Sequence, residues 1–108
     1  MDNVVEGTVL ASRVPGISGE VFNIALGEEH SVLELLQELN AIMDLSIPPA
    51  FQPIRTGDVR RTLADCSKAK RLLRWEGRVT FSDGLRRTVE WFRKKGDMLV
   101  FSLPGKIK

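Results

Sequence analysis

Ser31-Val32-Leu33-Glu34-Leu35-Leu36-Gln37-Glu38-Leu39-Asn40-Ala41-Ile42-Met43 is the stretch that decides the fold class of this chain. Ser31 and Glu34 have the spacing of a capping box, in which the serine oxygen takes an N–H of the first turn and the glutamate returns a bond. Val32, Leu35, Leu36, Leu39, Ile42 and Met43 follow at helical period, which predicts a helix over residues 32–44. Glu34 and Glu38 then fall on its exposed side. Pro48-Pro49 closes the element, because proline has no N–H to continue a helix.

Working upstream, Asp2 is the expected N-cap of a first helix over about residues 3–12, with Val5, Val9 and Ser12 on one face. Pro15-Gly16 and Gly19 break the chain into a turn. Glu20-Val21-Phe22-Asn23-Ile24-Ala25-Leu26 is short, apolar and β-rich, and reads as a buried strand. Downstream, Ala50-Phe51-Gln52-Pro53-Ile54 reads as a short edge strand, where proline is tolerated. Asp65-Cys66-Ser67 caps a third helix that buries Ala69, Leu72 and Leu73. Ser82 or Asp83 starts a last helix with Leu85, Thr88, Val89 and Phe92 on one face. Lys94 and Lys95 suit its final turn, and Gly96 the position just beyond. Met98-Leu99-Val100-Phe101 reads as a final strand before a basic tail. The expected class is therefore α/β: a small helix-rich domain of about four helices with two or three short strands. Residues 1–97 form the domain, and 98–108 a C-terminal strand or tail.

The 108 residues suit one domain, and 43% hydrophobic with 28% charged residues is near the globular average. No apolar run approaches the ~20 residues of a membrane span, and no signal peptide is legible at the N-terminus. A single cysteine, Cys66, excludes an internal disulfide and suits the reducing cytoplasm, the expected location. The single histidine, His30, stands far from Cys66 in sequence, so no metal site is expected. His30 reads as an exposed loop residue and Cys66 as a small packing residue, which leaves no nucleophile with a base beside it. No catalytic residue is assigned. Tyrosine is absent altogether, which closes every enzyme class that depends on one.

The net charge of +2 hides a split. Residues 1–54 carry one basic and eight acidic side chains, whereas residues 55–108 carry fifteen basic and six acidic ones. Such asymmetry fits a polyanion partner, or two halves that pack as complementary faces; composition favours the second. Trp75, Phe81, Trp91 and Phe92 lie among arginines, which fits nucleic-acid binding or a solvated basic face over an aromatic core. No nucleic-acid module pattern accompanies them.

Arg55-Thr56-Gly57-Asp58 is the one stretch with binding chemistry. A guanidinium fork matches phosphate oxygens bidentately, and a carboxylate accepts from a sugar diol. Arg60 and Arg61 add positive potential nearby. A plain Arg–Asp surface turn explains the same four residues.

Taken in order, Asp2-Asn3-Val4-Val5-Glu6, Gly19-Glu20-Val21-Phe22-Asn23-Ile24, Ser31-Val32-x-Glu34-Leu35, Arg55-x-Gly57-Asp58-Val59, Asp65-x-Ser67-Lys68-Ala69, Leu72-Leu73 and Gly84-Leu85-x-x-Thr88-Val89-x-Trp91 form a pattern. It resembles the C-terminal, substrate-binding part of the NAD-dependent nucleotide-sugar epimerases and dehydratases, in the extended short-chain dehydrogenase/reductase family typified by UDP-glucose 4-epimerase. The resemblance covers about residues 2–92. It implies that Arg55 contacts the diphosphate of a nucleotide sugar and that Asp58 approaches its ribose.

The departures are specific. The family's F-N-I-G-x-G has Ala25 at its first glycine, and an added methyl there is expected to crowd the backbone. Its L-G-x-x-P appears as Leu73-Arg74-x-x-Gly77. The glycine-rich dinucleotide fingerprint and the Tyr-x-x-x-Lys pair are both missing from this sequence. By resemblance the family's NAD would be held by a dinucleotide domain that this chain lacks, so no cofactor-binding residue is assigned. Met1 stands directly before the family's Asp-Asn-Val-Val element, as in a shortened gene or a cloned fragment. The expected function is a catalytically incompetent substrate-binding domain with weak binding of a nucleotide diphosphate or nucleotide sugar. The alternative is an interaction module, a homodimer or the partner of a separate dinucleotide-binding protein; nucleic-acid binding through the basic half stands third.

Overall fold

In the computed structural model, backbone structure is described for residues 1–102 and side-chain environments for residues 1–95. The predicted helix at the centre of the sequence runs as Val32–Met43 with its capping box complete. The Glu34 N–H donates to Ser31 Oγ at 3.0 Å, and the Ser31 N–H donates to Glu34 Oε2 at 2.8 Å. Around it, in chain order, are α1 (Asp2–Arg13), α2 (Val32–Met43), α3 (Ser67–Leu73) and α4 (Phe81–Ser102). α1 packs on α3, and α2 packs on α4.

The α/β expectation is corrected: among the described residues there are four helices and no strand. Residues 20–26 do run extended, with Phe22 and Ile24 half-buried and Val21 and Asn23 exposed between them. A strand also needs a neighbour to share its ladder, and none lies alongside. Instead Cys66 Sγ–H donates to the Ala25 carbonyl at 3.2 Å, and Asn23 Nδ2 donates to the Asp65 carbonyl at 3.4 Å. Residues 50–54 are irregular and wholly exposed. Met98–Phe101 continue α4, so Gly96 does not end that helix. The expected basic tail, from residue 103 on, lies outside the described residues.

The core sits where α1, α3 and the extended segment meet. Cys66, Ala69, Leu73 and Trp75 are buried, with Leu10, Ala11, Val14, Ile17, Phe22 and Ile24 packed around them. The inward face of α1 is thus the Asn3, Gly7, Leu10, Val14 stripe; Val5 and Val9, expected inside, are exposed. Gly7 sits at a close approach, since a Cβ there would stand 3.0 Å from Ile24 Cδ1 and the isoleucine side chain would have to shift. On α3, Leu72 lies at the exposed margin. Cys66 is a packing residue, as its sequence context suggests.

Asp2 is not a cap. It lies within the first turn of α1, whose N-cap is Met1, and its carboxylate pairs with Arg87 instead. α4 starts at Phe81, one residue before the expected start, because the Thr80 hydroxyl accepts the Asp83 N–H at 3.2 Å. Val89 is buried against α2, whereas Phe92 is about half exposed. Arg74, at the family's glycine position, ends α3 with φ 52°, a left-handed conformation that costs a non-glycine residue about 1 kcal/mol. Ala25 has no left-handed backbone, and it packs against the core.

The charge split resolves within the molecule. Arg61–Glu29, Lys68–Glu20, Arg78–Glu6 and Arg87–Asp2 each join the basic half to the acidic half. Glu20 is held below the ordinary carboxylate range chiefly by its hydrogen bond from Lys68 and then by that cation's charge. Asp65 is lowered by the Ser67 N–H, which donates to Oδ1 at 2.9 Å, and by the Ser67 hydroxyl. A lowered folded-state pKa contributes stability above the unfolded value and loses it as pH falls through the folded one. Urea midpoints of the wild type should therefore fall on acidification through and below the ordinary carboxylate range, and Glu20→Gln with Asp65→Asn should flatten that fall. An unchanged slope in the double variant would contradict the assignment.

Candidate functional site

The Arg55–Asp58 loop is a closed turn. The Asp58 N–H donates to the Arg55 carbonyl at 3.2 Å, and the Arg55 N–H donates to Asp58 Oδ2 at 3.1 Å. Gly57 between them has φ +93°, a conformation open to glycine and costly for other residues. The turn is therefore shaped by the chain itself. It presents Asp58 with one carboxylate oxygen committed to the backbone and Oδ1 still open to a donor.

The loop projects. Every residue from 44 to 63 is exposed, including the apolar Phe51, Ile54 and Val59. Among the described residues, Arg55 enters no ion pair. A cleft of about 690 Å³ lies elsewhere, between the start of α1 and α4, with Met1, Leu26, Phe81, Leu85 and Trp91 in its wall. No residue of the Arg55–Asp58 loop lines it. The structure thus brings Arg55 and Asp58 together as a turn without enclosing them in a pocket of this chain. The cleft is mostly apolar and holds one ion pair, Arg87–Asp2, already satisfied.

His30 is an exposed loop residue, as its sequence context suggests. Its ring stacks on Phe81 with centroids 3.9 Å apart and planes 6° apart, while Nε2 lies 3.1 Å from Glu28 Oε2. It joins the entrance of α2 to the entrance of α4. No His/Cys/Asp/Glu cluster able to hold a metal ion occurs among the described residues. None of the described helices is long and apolar enough to cross a membrane.

Sequence reasoning missed Asn3 altogether as a structural hub. Its Nδ2 donates to the Val79 carbonyl at 2.8 Å, while its Oδ1 accepts the N–H groups of Arg78 (3.1 Å) and Val79 (3.0 Å). Its own carbonyl accepts Trp75 Nε1–H at 3.1 Å. One side chain and one carbonyl thereby tie α1 to the segment leading into α4, which places the wall of the large cleft.

No family model matches the chain. UDP-glucose 4-epimerase of Mycolicibacterium smegmatis is 36% identical over 95 residues, which is 88% of this chain and 30% of that protein. The fold agrees as well. The crystal structure of UDP-glucose 4-epimerase with UDP-glucose from Thermotoga maritima superposes with a TM-score of 0.80 at 40% identity, over 87% of this chain and 30% of that one. This chain is one part of the nucleotide-sugar epimerase and dehydratase family. A dTDP-glucose 4,6-dehydratase of Xanthomonas campestris, 34% identical over 79% of this chain and 26% of its own length, carries the likeness to the dehydratases. The chain spans about 30% of the length of the epimerases it matches, consistent with a C-terminal fragment of the family.

Proposed function

We propose that this chain is a substrate-binding part of a nucleotide-sugar epimerase or dehydratase, unable to run the reaction alone, that binds a nucleotide diphosphate or nucleotide sugar weakly through Arg55 and Asp58. The pre-formed turn at Arg55–Asp58 carries the reading. The Arg55 guanidinium, free of internal carboxylates, offers two parallel N–H groups to diphosphate oxygens, the strong bidentate form of the contact. Asp58 Oδ1 is available to accept from a ribose hydroxyl. Affinity should be weak, because an exposed turn supplies one wall of a site and leaves the ligand mostly in water.

The nicotinamide cofactor of the family does not fit this chain. None of the described helices opens on a glycine-rich loop that would present its N–H groups to a diphosphate, and no tyrosine is present to exchange a proton. Residues 1–95 hold substrate groups and assign no chemical step.

UDP titrated by calorimetry tests the reading. Binding in the millimolar range by the wild type, lost about tenfold in Arg55→Ala, is expected for a charge-assisted pair worth about 1.5–3 kcal/mol less its solvent screening. No heat at millimolar UDP, or unchanged binding in Arg55→Ala, overturns it.

Exposed apolar side chains favour a second reading, an interaction module. Val5, Phe51, Ile54 and Trp91 are each more than half exposed, and the 690 Å³ cleft is open beside Trp91. Apolar surface of that kind usually meets a partner. A homodimer, or a complex with a separate dinucleotide-binding protein, would cover it. Light scattering at micromolar concentration should show a mass above 12.1 kDa, and a strict monomer would count against self-association. The nucleic-acid alternative gains no comparable observation, since four of the basic side chains are already paired across the halves.

A further inference from the structure

The loop that carries Arg55 and Asp58 is tied at both ends to α2. At its first root, Asn40 holds Ile47 in both directions: Asn40 Nδ2 donates to the Ile47 carbonyl at 2.9 Å, and the Ile47 N–H donates to Asn40 Oδ1 at 3.3 Å. At its second root, Arg61 Nε donates to Glu29 Oε1 at 3.1 Å while Nη2 donates to Oε2, a two-pronged pair. Glu29 stands just before the Ser31 cap of α2, and Asn40 lies in its last turn. The residues between these ties, 48–60, are all exposed and form no helix or strand. Their described backbone–backbone bond is the Arg55–Asp58 turn itself.

A segment that buries nothing takes its position from its ends. We infer that Glu29 and Asn40 are positioning residues for the Arg55–Asp58 loop, which they hold as a strap running from one end of α2 to the other. The inference rests on the diphosphate reading of Arg55 for its functional meaning, though the ties themselves do not. Releasing one root widens the set of loop positions, and apparent affinity falls by the fraction still in the binding arrangement. Neither residue touches the proposed ligand groups, so the effect is indirect.

An exposed two-pronged pair sets a modest scale, about three- to fivefold. Glu29→Ala should speed trypsin cleavage after Arg55 by about that factor and weaken UDP binding equally, with the melting temperature unchanged. Asn40→Ala should act in the same direction. The charge-swapped pair, Glu29→Lys with Arg61→Glu, should return both readouts toward the wild type. Cleavage after Arg55 that ignores Glu29→Ala, or that rises and is not restored by the swap, overturns the inference. If cleavage responds and is restored while the wild type gives no heat with UDP, the strap stands and the diphosphate reading fails.

Discussion

Trp75→Ala is expected to remove about 3–5 kcal/mol of folding free energy, the usual cost of deleting a buried large aromatic. Trp75 is 1% exposed and is the largest fully buried side chain among the described residues. Its ring closes the core made by Cys66, Ala69 and Leu73, and its Nε1–H is spent on the Asn3 carbonyl. A small domain has a total stability of about 5–15 kcal/mol, so the variant should be near unfolding at physiological temperature. Urea denaturation followed by circular dichroism reads the change without relying on the lost fluorophore. Trp75→Phe should recover most of it, leaving about 1 kcal/mol for the missing hydrogen bond. A loss below about 1 kcal/mol in Trp75→Ala would mean that the core lies elsewhere.

Asn3→Ala is expected to cost about 2–3 kcal/mol although it deletes almost no apolar surface. Three bonds disappear together, and the Val79 carbonyl, the Val79 N–H and the Arg78 N–H all lose their partner. The site is only partly buried, so water recovers some of the loss. Asn3→Asp separates the roles: it keeps both acceptor bonds and loses the donor to Val79, and should cost about half as much. The same urea titration decides it. If Asn3→Ala stays within 0.5 kcal/mol of the wild type, a typical surface value, Asn3 is not the joint between α1 and α4.

These two residues also show what the sequence could and could not reveal. All four helices were legible because their signals are local. The Ser31–Glu34 box, the 3.6-residue apolar period and the Pro48-Pro49 stop need no knowledge of the rest of the chain. Asn3 was illegible as a hub because its partners lie 75 and 76 residues away. Phe22 and Ile24 imitate a strand because the core covers one side of an extended chain, and alternation records burial without recording a ladder. Phe92 was expected inside because periodicity places it on the apolar face, but only tertiary packing decides which turns of that face are covered. The Arg55–Asp58 turn was legible as a motif, down to the glycine that its φ requires. Its exposure was not, since a loop's sequence does not say whether a wall stands opposite it.

That exposure is also the physical link between the two proposed readings. A chain covering about 30% of its relatives presents the Arg55–Asp58 turn and open apolar surface at once. Both observations fit a half-site whose other wall is made by something else.

The central claim is that the Arg55–Asp58 turn is where this chain meets a nucleotide diphosphate. The most direct test is a titration of the 15N-labelled protein with UDP, followed residue by residue in amide correlation spectra. The amides of Arg55, Thr56, Gly57 and Asp58 should shift together and saturate on one millimolar-range curve, and Arg55→Ala should abolish those shifts while leaving the rest of the spectrum folded. Shifts confined to the α1–α4 cleft around Phe81 and Trp91, or no shifts at millimolar UDP, would contradict it.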